Sequence, residues 1–146
     1  MRGPGNYSAS YSANQYRTHS VNTSPLQLVV MCYDGMLRFM KSAKAAIESK
    51  DIEKKVKFVN KTIAIVDELQ NSLDFVRGGE VARNLDRVYD YFNHELMKVG
   101  MHNDIGILDH LLKLTVDLRG AWAKIAAENP PPPQEGTPKA GITITG

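Results

Sequence analysis

Between residues 24 and 129 the apolar residues recur three and four apart, the repeat of one helix face, and no stretch there alternates apolar with polar as a half-buried strand would. The first such stripe is Leu26, Val29, Tyr33, Met36, Met40, Ala43 and Ile47. Ser24-Pro25-Leu26-Gln27 opens it: Ser24 caps, Pro25 takes the first helical position and Gln27 closes a capping box. A second helix is predicted from Asp51, with Ile52, Val56, Val59, Ile63, Val66 and Leu73 on its stripe and a stop at Gly78-Gly79. A third runs from about Glu80 to Val99 through Val81, Leu85, Val88, Phe92 and Leu96, with Gly100 as its C-cap. Asn103 or Asp104 caps a fourth, which carries Leu108, Leu111, Thr115, Leu118, Trp122 and Ile125 and ends at Pro130.

Helices joined by short connections must run antiparallel, so the predicted fold is all-α: an up-down-up-down four-helix bundle over residues 24–129. A polar arm, 1–23, precedes it, rich in Ser and Asn and carrying Tyr7, Tyr11 and Tyr16. Pro130 to Pro133 begin a stiff polyproline spacer, and 130–146 reads as a flexible Pro-rich tail. Ile142-Thr143-Ile144-Thr145 alternates but is too short and isolated to build a sheet.

A bundle helix needs one apolar stripe, and three of these helices carry two. Leu28, Met31, Cys32 and Phe39 form a second stripe on the first helix. Phe58, Ile65 and Leu69 do so on the second, and Ile107, Leu114 and Ala121 on the fourth. A wider core would bury part of this surface; a hydrophobic groove left for a partner segment is the functional reading. Six methionines and six tyrosines suit an adaptable binding surface, because methionine repacks easily and tyrosine joins apolar area to a polar tip. The candidate partner-binding residues are therefore Leu28, Met31, Cys32, Phe39, Phe58, Ile65, Leu69, Ile107 and Leu114. Tyr7, Tyr11 and Tyr16 join them, on an arm expected to fold over the groove when no partner is present.

Composition narrows the function classes. The chain has 146 residues, 42% of them hydrophobic, which suits one globular domain. A net charge of +2 gives no footprint for nucleic acid, and the five lysines between Lys50 and Lys61 read as a solvated helix face. No run is long enough to span a bilayer and no secretory leader is present, so a cytosolic location without membrane insertion is expected. One cysteine, Cys32, allows no internal disulfide. Enzyme signatures each lack a required part. His94-Glu95 begins like a zinc-protease helix, but Lys98 stands where the second histidine belongs. The paired Glu-x-x-His motifs of a di-metal bundle and a phosphate-binding glycine loop are both missing. Neither enzyme activity nor a cofactor or metal is expected.

Three stretches resemble the flagellar secretion chaperone family. Thr23-Ser24-Pro25-Leu26-Gln27 through Tyr33-Asp34-Gly35 is similar to the family's Ser-Pro helix start and Leu-Tyr-Asp-Gly turn, with Cys32 in place of the usual Leu. Gly78-Gly79-Glu80 followed by Asn84-Leu85 and Tyr89-Asp90-Tyr91-Phe92 resembles its third helix. Leu118-Arg119-Gly120-Ala121-Trp122 resembles its closing segment. The resemblance spans about residues 16 to 125 and leaves out the Pro-rich tail. It implies a monomeric chaperone that binds the disordered C-terminal segment of flagellin one to one, prevents premature polymerisation and keeps the cargo ready for type III export. It also implies that the N-terminal segment gives way to cargo. Components of the export gate are a further expected partner.

Two rivals share the fold. His110-Leu111-Leu112-Lys113 has the His-x-x-Lys spacing of histidine phosphotransfer domains, although Leu114 replaces the glycine they place after the lysine. A generic helical adaptor would differ only in its partner.

Overall fold

A computed structural model describes residues 24–130. They form four helices: α1 (Pro25–Glu48), α2 (Ile52–Asn71), α3 (Phe75–His102) and α4 (Ile105–Glu128). Connections of two or three residues force neighbours antiparallel. Each start is capped by a side chain. Ser24 accepts the Gln27 N–H, Asp51 that of Lys54, Asp74 those of Val76 and Arg77, and Asp104 that of Ile107. These caps satisfy donors that the first helical turn leaves without partners.

Three boundaries differ from the sequence reading. The second helix ends at Asn71, not at Gly78-Gly79, and α3 starts at Phe75. The pair Gly78-Gly79 lies inside α3, where Gly79 takes φ 51° and ψ −124° and kinks the helix. This conformation is open to glycine and strained for other residues, so the glycines bend a helix instead of ending one. Likewise Gly100 is not the C-cap: α3 continues to His102 and closes on Asn103 in the left-handed conformation.

α1 packs against both α2 and α4, α2 packs against α3, and the α3–α4 pairing is the slightest. The core includes Tyr33, Met36, Met40, Val66, Tyr89, Phe92, Leu96, Val99, Leu108 and Leu111. Thr62 and Thr115 are fully buried, and their hydroxyls donate to the carbonyls of Phe58 and Leu111 one turn back.

Polar ties reinforce two of the four seams. Arg119 on α4 bonds Asp34 on α1, and Lys44 pairs with Asp109 at 2.8 Å. On the α2–α3 side Asn93 donates to Asp67 and Gln70 donates to Asp86 and Asp90. Lys55, also on α2, is buried and its ammonium donates to Gly100 O at 3.0 Å and Asn103 Oδ1 at 2.6 Å. A lysine thereby caps the C-terminal end of a neighbouring helix, where backbone carbonyls concentrate negative charge. Among the described residues no side-chain hydrogen bond or ion pair crosses from α3 to α4. Their contact there is apolar, with Tyr91 edge-on to the His110 ring at 6.1 Å.

Candidate binding surface

The weak α3–α4 seam and the kink at Gly79 leave apolar surface at one end of the bundle. There the start of α1, the end of α2, the start of α3 and the end of α4 surround a cavity of about 250 Å³. Its walls include Leu26 and Val29 from α1, Leu69 from α2, Val81 and Leu85 from α3 and Trp122 from α4. Tyr89 borders it from within the core. Beyond the rim the surface stays apolar: Val76 is 94% exposed and Val81 64%, with Phe75 on α3 and Ile125 on α4 also exposed. Ala121 and Tyr91 continue exposed surface along the two sides of the α3–α4 seam. A cluster of this kind on a monomer marks a contact surface more often than decoration.

Two of the lining residues, Tyr89 and Trp122, belong with the buried Tyr33 to one hydrogen-bonded trio. The Tyr33 hydroxyl meets that of Tyr89 at 2.6 Å and also bonds the Trp122 side chain. Burial, the largest effect, pushes the Tyr33 and Tyr89 phenols above their ordinary range, so both stay protonated.

At the opposite end a second apolar patch runs along α2 and α3, with Ile52, Val56, Met97 and Met101 exposed. The Lys55–Gly100 bond places these two stretches side by side. A cavity of about 350 Å³ between Ala46, Ile47, Ile52, Lys55 and Asn103 adjoins them.

The second stripes found in the sequence are partly closed. Ile65 and Leu69 belong to the core at 7% and 5% exposure, which corrects the expectation of a free face there, although Leu69 also walls the first cavity. Leu28, Met31, Cys32, Phe39, Phe58, Ile107 and Leu114 are half-buried. Phe39 and Phe58 stack on each other across α1 and α2 at 6.0 Å, so each covers part of the other. Ile107 and Leu114 pack against the core. Ile52, Val56, Val81 and Ile125, placed on core stripes by their spacing, are exposed instead. Cys32 is a half-buried thiol raised to about 11, by burial first and by the nearby Glu68 carboxylate second. Such a thiol is a poor nucleophile. Tyr7, Tyr11 and Tyr16 lie outside the described residues. Among those residues no cluster of side chains could hold a metal, and no helix is long and apolar enough to cross a membrane.

Comparison with known proteins fixes the lineage. The family model described as flagellar protein FliS matches residues 7–129. The chain belongs to the FliS family. It is 38% identical over 116 residues to the flagellar secretion chaperone FliS of Campylobacter jejuni, covering 80% of this chain and 88% of that protein. To its namesake in Bacillus subtilis it is 35% identical over 108 residues, covering 73% and 80%. To the one in Salmonella typhimurium it is 30% identical over 118 residues, covering 80% and 87%. The FliS match takes in the three tyrosines of the N-terminal arm and stops before most of the Pro-rich tail.

FliS membership gives the Tyr33–Tyr89–Trp122 trio a context. Its members come from the three stretches that carry the resemblance, and hydrogen bonds through Tyr33 join the two of them, Tyr89 and Trp122, that line the cavity. Of the cavity's lining, only Leu69 is among the binding residues that spacing points to. The exposed residues at the start of α3 were hidden by the misplaced boundary, since Phe75 and Val76 read as the tail of the second helix. The Asp74 cap ahead of them was the available signal.

Proposed function

We propose that this FliS-family chain is a cytosolic, non-enzymatic export chaperone that binds the C-terminal segment of flagellin one to one. The observation that carries the reading is the apolar cavity between the ends of the four helices, continuous with the exposed Val76, Val81 and Ile125 and with the loosely joined α3–α4 seam. An amphipathic segment laid there buries its own polymerising face and the chaperone's exposed one together. Folding on binding must offset ordering entropy with a large buried area, so a client spread over cavity and seam is favoured over a point contact. No cofactor or nucleotide is needed, because apolar burial supplies the driving force.

Residues 1–23 join α1 at Ser24, beside Pro25 and Leu26 on the cavity wall. In this proposal Tyr7, Tyr11 and Tyr16 cover the surface until cargo displaces them.

The test is a binding titration of the flagellin C-terminal peptide against the full chain and its Val81→Glu variant. A charge in the apolar contact should weaken binding by about tenfold or more without unfolding an exposed position. Unchanged affinity would place the client elsewhere. Failure of the full chain to bind either the peptide or full-length flagellin would favour a helical adaptor with another partner.

A further inference from the structure

The lysines of α2 are not the uniform solvated face their spacing suggested. Lys55 is consumed in capping α3. Lys54, Lys57 and Lys61, at i, i+3 and i+7, share one side of the helix, and among the described residues none of them has a carboxylate partner. This ridge flanks the stacked Phe39–Phe58 pair. The Lys57 ammonium stands 5.4 Å from the Phe58 ring centre and that of Lys61 5.2 Å from Phe39. The rings hold the two ammoniums at the rim of an aromatic floor, so the positive charge is positioned and remains unneutralised.

We propose that this α1–α2 face is a second docking site, for an acidic amphipathic helix of a protein partner. Three carboxylates at i, i+3 and i+7 on such a helix would span about 10 Å, the length of the lysine ridge. An apolar residue between them would rest on Phe39 and Phe58. The complementarity is local. Glu53 precedes the ridge and Glu68 follows it, so a long polyanion or an anionic bilayer would meet repulsion at both ends where a short helix would not. In the order of packing, α1–α2 lies across the bundle from the α3–α4 seam. None of Phe39, Phe58, Lys57 and Lys61 lines the cavity, so the acidic partner and the cavity's client can be bound at once, and the proposal does not rest on the identity of that client.

The experiment is fluorescence anisotropy with the full chain and a labelled amphipathic peptide carrying glutamates at i, i+3 and i+7 around a leucine. Its glutamine counterpart, phosphatidylglycerol vesicles and a single-stranded oligonucleotide are run in the same salt. The glutamate peptide should bind saturably and about tenfold or more tighter than the glutamine peptide, with affinity falling as salt rises. K57E/K61E should abolish that preference and K57Q/K61Q should reduce it, with both variants retaining the helical circular dichroism of the parent. Val81→Glu should leave it unchanged. Equal binding of the two peptides, no saturable binding of the glutamate peptide, tighter binding of vesicles or oligonucleotide, or indifference to K57E/K61E would each overturn the proposal.

Discussion

The hydroxyls of Tyr33 on α1 and Tyr89 on α3 lie 2.6 Å apart, a bond across the diagonal of a bundle whose α1 and α3 backbones do not otherwise meet. Both side chains are essentially buried. Removing the Tyr33 hydroxyl strands that of Tyr89, and removing the Tyr89 hydroxyl leaves Tyr33 with Trp122 alone; losing a partner is costly for a buried polar group. Tyr33→Phe and Tyr89→Phe should each lose about 1–3 kcal/mol in urea unfolding, and the double variant should lose much less than their sum. Additive losses would show that the hydroxyls act separately.

Lys55→Met keeps the aliphatic stem but removes the ammonium that caps α3. Stability should fall by about 1–3 kcal/mol, and amide exchange should speed up selectively in the last turn of α3.

The same logic of local necessity applies to the kink. A Cβ at Gly79 would touch nothing within 4 Å, so Gly79→Ala introduces only backbone strain at φ +51°. It should cost about 1–3 kcal/mol in thermal or urea unfolding. If the variant were as stable as the parent, the kink would be dispensable.

The titration of Cys32 gives a sign that can be checked. Its folded value of about 11 lies above that of an unfolded thiol, so folding favours the protonated form. The associated stability is complete below the unfolded value and is lost as pH rises toward 11. Cys32→Ala should flatten the decline in stability between about pH 9 and 11. Tyr33 and Tyr89, also raised by burial, extend the same trend to higher pH. Alkylation of folded protein at pH 8 should run at least about a hundredfold slower than for an unfolded control.

Much of the fold was legible because local rules and tertiary packing agree. The Ser24 cap, the helix start at Asp51, the four periodic stretches and the antiparallel order all follow from the sequence, while the choice of Asp104 over Asn103 as the last cap comes from the structure. The start of α3 did not, since a Gly-Gly pair reads as a stop until the cap at Asp74 shows the chain already helical before it. The binding surface was only half legible for another reason. Two adjoining stripes 100° apart fit a helix equally well, and the neighbouring helix chooses between them. On α2 it chose Ile65 and Leu69, and left Ile52 and Val56 outside. The burial of Lys55 was likewise invisible, because its partners are a backbone carbonyl and an asparagine 45 and 48 residues away.

In the proposed function the bundle holds apolar surface for a client that folds upon it. Calorimetry of the full chain with flagellin, with and without its C-terminal segment, at several temperatures tests this most directly. Binding with a large negative heat-capacity change that vanishes with the segment is the predicted result. Equal binding by truncated flagellin, or a heat-capacity change near zero, would contradict it.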